Sequence, residues 1–126
     1  MKLHSTVTAD LLAITSYDAG HIAVNGRRLT KSFILTPHRL LENWPPASLD
    51  GLTVTDMQTV ADLACPIVLL GTGTRQRFPA PALLRPFVEQ CIGVEVMDTG
   101  AACRTYNVLM AEGRDVAAAL IIECAN

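Results

Sequence analysis

The chain has 126 residues, half of them apolar and only 17% charged, with a formal charge of −2. That length suits one domain around a single core, and the charge balance gives no electrostatic basis for general nucleic-acid binding. No apolar run approaches the ~18 residues that a membrane-spanning helix needs; the longest, Val116–Ile122, is bounded by Asp115 and Glu123.

The first ten residues, MKLHSTVTAD, lack the apolar segment of a secretory signal and the arginines of a mitochondrial presequence. A cytoplasmic location is therefore expected. Cys65, Cys91, Cys103 and Cys124 form no CxxC pair and have no histidine at metal-ligand spacing. Each sits among apolar neighbours and reads as a reduced core thiol. No metal and no cofactor are expected.

Up to about residue 54 the chain alternates short extended runs with turn chemistry. Asp18-Ala19-Gly20 turns one pair of runs, and Asn25-Gly26, both tolerant of positive φ, turns the next. An antiparallel meander follows, closed by Pro45-Pro46 after the lone Trp44. Trp44 reads as an anchor of that meander, with a partner-binding hot spot as the alternative.

Beyond residue 55 the period changes. Thr55 and Gln58 have the spacing of a capping box, opening a helix with Met57, Val60, Leu63 and Ala64 on one side, which Pro66 ends. The run PIVLLGTG reads as a buried strand entering a glycine turn. A helix is expected over 81–92, with Leu84, Phe87, Val88, Cys91 and Ile92 on one arc and Pro86 opposite. GVEVMD is the next strand, 99–113 a helix capped by Gly113, and DVAAALIIE the last strand. The expected fold is a small three-layer α/β domain over 1–126: an N-terminal antiparallel meander, then α-β-α-β-α-β with a short parallel sheet. Helices are expected on one face of that sheet, with the meander extending or covering it.

In open α/β sheets, ligands bind outside the carboxyl ends of the parallel strands. Two such ends are readable here, Gly71-Thr72-Gly73-Thr74 and Asp98-Thr99-Gly100, and adjacent strands would set them across one crevice. Three chemistries compete there. DTG resembles an aspartic-protease motif, but those proteins need two such carboxylates in an all-β setting; Asp98 or Thr99 as a helix N-cap is the simpler account. Cys103 near a helix start could be a nucleophile, yet His4, His21 and His38 all lie in the other half, and a core thiol is favoured. GTGT with Arg75 or Arg77 could hold an anion, but it lacks a third glycine and an immediate helix. Asn107 borders the apolar arc of the last helix, and Arg104 points away from it, toward solvent or a partner.

The ordered set GTG, Phe78-Pro79, GVEVMDT, Ala102, Tyr106-Asn107 and Glu112-Gly113-Arg114 resembles domain-of-unknown-function family 498. That family includes mitochondrial assembly factors of respiratory complex I and an adipogenesis-associated human protein. The likeness spans nearly the whole chain and is densest over 67–122; Pro86 and the run Asp62–Pro66 depart from the family pattern. It implies a three-layer α/β fold and a bacterial-type member that acts as a non-catalytic accessory protein with a protein partner, of the respiratory-complex kind. It would carry the crevice onto Gly71, Thr72, Gly73, Asp98, Thr99, Tyr106 and Asn107 without assigning them a reaction. A small-molecule or anion site at that crevice, enzymatic or not, is the alternative. High apolar content with few charges is also compatible with a homo-oligomer.

Overall fold

The computed structural model describes residues 11–123, so His4 and Cys124 lie outside the described residues. The N-terminal half forms β1 (Ile14–Asp18), β2 (His21–Val24) and β3 (Arg27–Leu29), a three-stranded antiparallel sheet. The β2–β3 turn is Asn25-Gly26, both at positive φ (48° and 87°), as the right-handed strand twist demands. The β1–β2 turn is held by Asp18, whose Oδ1 accepts from the Gly20 and His21 amides at 2.9 and 3.1 Å.

A second, five-stranded sheet has the order β5-β4-β8-β6-β7. Its members are β4 (Phe33–Leu35), β5 (Leu40–Leu41), β6 (Ile67–Gly71), β7 (Gly93–Met97) and β8 (Val116–Leu120). β6 lies between β7 and β8 and runs parallel to both, while β4 pairs antiparallel with β8. The carboxyl ends of β6, β7 and β8 therefore meet at one edge of the molecule. β8 is buried along its whole length. Its Ala118 and Leu120 face one core and Ala117 and Ala119 the other, which is why this strand reads as a continuous apolar run rather than an alternating one.

Both faces of this sheet are covered. Helix α3 (Thr99–Ala111) packs across β6 and β8, and with the meander it encloses a core containing Ile22, Leu69, Tyr106 and Leu120. On the opposite face, α1 (Val54–Ala61) and α2 (Arg85–Glu89) cover Val68, Leu70, Ala117 and Ala119 with Met57, Val60 and Phe87. The three-layer α/β domain is as expected, but the helices do not share one face. The connection before β7 passes on one side and the one before β8 on the other, because β8 must cross over β6 to reach its place.

Three local expectations shift for identifiable reasons. The capping box is Thr53 with Asp56, two residues earlier than expected. The Asp56 amide donates to Thr53 Oγ1 at 3.1 Å, and the Thr53 amide donates to Asp56 Oδ2 at 3.0 Å. The shorter carboxylate thus serves as well as the Gln58 amide would. The helix then ends at Ala61, and Ala64, at φ 58°, lies beyond it. The 81–92 helix is instead a 3₁₀ turn, Pro81–Leu84, followed by the short α2, so a single 100° wheel does not apply. Pro86 is consequently buried, while Val88 and Cys91 are exposed; Cys91 adopts φ 57° and is not a core thiol. Gly113 caps α3 as expected, at φ 80°, with its amide donating to the Met110 carbonyl.

Tyr106 and Asn107 fasten the meander to α3. The Tyr106 hydroxyl donates to the Leu12 carbonyl at 2.7 Å. Asn107 exchanges two hydrogen bonds with the backbone of Ile14, at 2.9 and 2.7 Å. Tyr106→Phe should therefore leave that carbonyl without its donor and destabilise the chain by about 1 kcal/mol in urea unfolding. An unchanged midpoint would contradict this anchoring role.

Candidate functional site

The three parallel strand ends are tied together by one hydroxyl. Thr99 Oγ1 accepts from the Gly73 amide, after β6, at 2.8 Å, and donates to the Ile121 carbonyl, after β8, also at 2.8 Å. Thr99 itself follows β7 as the first residue of α3, and its amide donates to the Gly73 carbonyl at 2.9 Å. Gly71 makes this approach feasible. A Cβ there would lie 3.0 Å from both Thr99 Cα and Oγ1, tighter than a backbone neighbour accommodates.

Around this joint lies a cavity of about 270 Å³. Its walls come from the loop after β6 (Gly73, Thr74), the start of α3 (Asp98, Thr99, Gly100), the residues after β8 (Ile121–Glu123) and the end of β1 with its turn (Tyr17, Asp18, Ala19). The two glycine-bearing corners do face each other at one crevice. Of the residues expected there, Gly73, Asp98 and Thr99 line it. Gly71 and Thr72 do not: Gly71 belongs to β6, and Thr72 is buried beneath the loop. The Thr72 hydroxyl donates to the Arg75 carbonyl at 2.6 Å and accepts from the Arg77 amide at 3.3 Å. Tyr106 and Asn107 are also elsewhere, facing β1 and the segment before it.

Most polar groups at the crevice engage one another. Asp98 is the N-cap of α3, its Oδ1 accepting from the Ala101 amide at 2.8 Å. Glu123 Oε1 accepts from the Thr74 amide at 3.0 Å and from the Thr74 hydroxyl at 3.1 Å. The Glu123 carboxylate packs so close to Gly73 that a Cβ at that glycine would lie 2.5 Å from it, at a φ of 109°. The GTGT loop thus directs its donors at the chain's own groups, Thr99 and Glu123, and the charge beside it is negative. This geometry counts against an anion in that loop, since a phosphate would have to displace a carboxylate already bound.

The remaining candidates sort by burial. Cys103, on the core face of α3, is fully buried, and desolvation pushes its thiol up to about 12, the reverse of what a nucleophile needs. Cys65 is likewise raised, to about 11, chiefly by burial and then by the Asp115 carboxylate. Burial also holds the Tyr106 phenol well above its ordinary range. Trp44 is 4% exposed, and its indole donates to the Asp56 carbonyl at 3.0 Å; it anchors the segment before α1 and offers no exposed hot spot. Arg104 is exposed, as its helical position implied, and donates to the Tyr17 hydroxyl at 2.7 Å. The Tyr17 ring lies over Gly100, where a Cβ would come within 3.2 Å of it. Among the described residues no group of three or more His, Cys, Asp or Glu is placed to hold a metal ion, and every buried side-chain nitrogen and oxygen has a partner.

Sequence reasoning missed Tyr17, Asp18, Ala19 and Glu123 as walls of the crevice. Glu123 was findable, because the carboxyl end of β8 obeys the same strand-end rule as those of β6 and β7. The β1–β2 turn carried no such signal; only the packing of the meander on α3 brings it there.

Replacing Thr99 by valine keeps the shape but leaves the Gly73 amide and the Ile121 carbonyl without their shared partner. The expected cost is roughly 2 kcal/mol in denaturant unfolding, with Thr99→Ser close to the parent. Equal stability of the valine and serine variants would contradict the joint.

The comparisons fit this geometry. The model of a protein family of unknown function (DUF498/DUF598) matches residues 14–121. NADH dehydrogenase [ubiquinone] 1 alpha subcomplex assembly factor 3 of Bos taurus is 36% identical over 110 residues, 86% of this chain and 59% of the relative's length. The chain therefore spans about three fifths of that protein. A solved structure from Bordetella parapertussis is 40% identical, with a TM-score of 0.84, covering 90% of this chain and 97% of that one. A second, from Xanthomonas campestris, is 43% identical at a TM-score of 0.80, covering 91% and 89%. No helix among the described residues is long and apolar enough to cross a membrane. With the match running from the start of β1 to just past the end of β8, the chain belongs to the DUF498/DUF598 family.

Proposed function

We propose that this protein is a non-catalytic accessory factor that binds a protein partner while a larger complex, of the respiratory type, is assembled. The observation that carries the reading is the likeness, over most of the chain, to assembly factors of NADH dehydrogenase. The site geometry supports it. The hydroxyls, carboxylates and amides at the strand ends are engaged in holding the fold, and the candidate thiol Cys103 is buried and hard to ionise. The usual constellation of nucleophile, base and oriented electrophile is not assembled among the described residues. Affinity purification of the tagged chain from its source, followed by size-exclusion chromatography, should recover a protein that co-elutes in fixed proportion. Recovery of nothing beyond an untagged control would contradict the reading.

The second reading is a small-molecule site at the crevice, favoured by a cavity of about 270 Å³ at the convergence of three parallel strand ends. Gly73, Asp98 and Thr99 would form its polar wall, and its carboxylates would prefer a neutral or cationic ligand to an anion. Under this reading Asp98→Ala abolishes ligand binding in a thermal-shift screen of small amines and polyols. Under the accessory-factor reading the variant loses about 1 kcal/mol of stability, as an uncapped helix does, and neither protein responds to the screen.

A further inference from the structure

Where β3 leads into β4, a polar hollow of about 190 Å³ opens on the surface. Arg27, Arg28 and Lys31 line it, and Glu42 is the one carboxylate among its lining residues. That balance runs against the chain as a whole, which is acidic. Glu42 is already neutralised. Its Oε2 and Oε1 lie 2.6 and 2.9 Å from Arg27 Nη1 and Nη2, a two-pronged pair that occupies both carboxylate oxygens. Arg28 and Lys31 are exposed and take part in no ion pair among the described residues. Two positive charges therefore border one hollow whose only carboxylate is spent on a third.

A second hollow, of about 300 Å³, adjoins the first, and Lys31 and Asn43 line both. Beyond them its walls are apolar, formed by Trp44, Pro45, Pro46 and Ile122, and no carboxylate lines it. The polar atoms of these walls are turned inward. The Trp44 indole donates to the Asp56 carbonyl at 3.0 Å, and the Ile122 amide donates to Ser32 Oγ at 2.9 Å. Paired prolines stiffen the remaining wall. Each hollow is several times the ~30 Å³ share of one water molecule. The surface thus joins a cationic end to an apolar end on a preformed frame, the usual make-up of a small-molecule site.

We propose that this double hollow binds a small anionic amphiphile. Its oxyanion head, a phosphate or a carboxylate, sits between Arg28 and Lys31, and its short apolar body lies against Trp44, Pro46 and Ile122. The guanidinium fork of Arg28 matches the paired oxygens of such a head, and Lys31 adds a point charge. Two cations are too few to hold a nucleic-acid backbone strongly, which takes about 6–10 phosphate contacts. The site is separate from the strand-end crevice, whose charged lining residues are the carboxylates Asp18, Asp98 and Glu123. It depends on neither the accessory-factor reading nor the crevice reading.

NMR titration of the full chain with methyl phosphate, hexyl phosphate and hexanol tests it. Methyl phosphate should shift the amides of Arg28 and Lys31. Hexyl phosphate should shift these and the Trp44 indole, and bind about tenfold or more tightly, because its alkyl chain leaves water. Hexanol at the same concentration should move neither set. Arg28→Gln and Lys31→Gln should each weaken hexyl phosphate binding about tenfold, and the parent should bind less tightly at high salt. Arg114→Gln, exposed and outside both hollows, should bind like the parent. Thermal unfolding of all three variants should match the parent, since these side chains are exposed. Saturable shifts absent from Arg28, Lys31 and Trp44, or equal affinity of the Arg28 and Lys31 variants and the parent, would overturn the site. Equal affinity for methyl and hexyl phosphate would overturn its apolar half. Binding to phosphatidylcholine vesicles containing phosphatidic acid, with none to free hexyl phosphate, would overturn the small-molecule assignment in favour of a membrane surface.

Discussion

The structure depends on the hydroxyl of Thr99. Three parallel strands end at one edge of the sheet, and each leaves backbone groups that no ladder continues. Thr99 meets one of these from either side, the Gly73 amide and the Ile121 carbonyl, and so closes the corner. Leaving such part-buried groups unpaired is costly, more than the modest net value of an ordinary hydrogen bond suggests. Gly71 lacks a side chain because Thr99 stands where its Cβ would be, and Gly73 lacks one because the Glu123 carboxylate does. Asp98, next to Thr99, starts the helix that covers the joint. The GTG and DTG tripeptides are thus two halves of one fastening.

That fastening changes how the polar residues at the crevice are interpreted. Hydroxyls, carboxylates and glycines at strand ends are the usual ingredients of a binding site, and the cavity beside them is large enough for a small molecule. Yet the bonds these groups make are mostly to the backbone of their own chain, and the donors nearest the glycine loop already face a carboxylate. The loop between β6 and α2 exposes Phe78. Gln76, Arg77 and Pro79 attach this loop to β7, to Asp50 and to the core while Phe78 is left outside.

Much of the architecture was legible from the chain alone. Asn25-Gly26 specifies its turn through two positive φ values, and the apolar run Val116–Leu120 reads as a strand, although the helices that cover it on both faces were expected on one. Legibility failed where two local forces compete. Thr53 and Thr55 are both cap-type residues, and the box closes on Thr53 because Asp56, three residues on, returns a carboxylate oxygen to its amide. Pro81 and Pro86 break the segment before β7 into a 3₁₀ turn and a short helix, which invalidates a helical wheel drawn through it. The site was half legible. Strand-end logic finds Gly73, Asp98 and Thr99, but Tyr106 and Asn107 follow the apolar stripe of α3 into the core, where their polar atoms secure the meander. Nothing in the local sequence of Tyr17–Ala19 signals that the meander delivers them to the crevice, because that depends on long-range packing.

The central claim is that the corner where the three strands end is closed by the chain's own groups. Amide hydrogen exchange at Gly73 and Thr74, followed by NMR, tests this most directly, because in an ordinary exposed loop both amides would exchange rapidly. With Thr99 and Glu123 as their acceptors, both should show protection, and the Gly73 amide should approach that of β6 itself. Exchange of Gly73 at the rate of an unprotected loop would contradict the account.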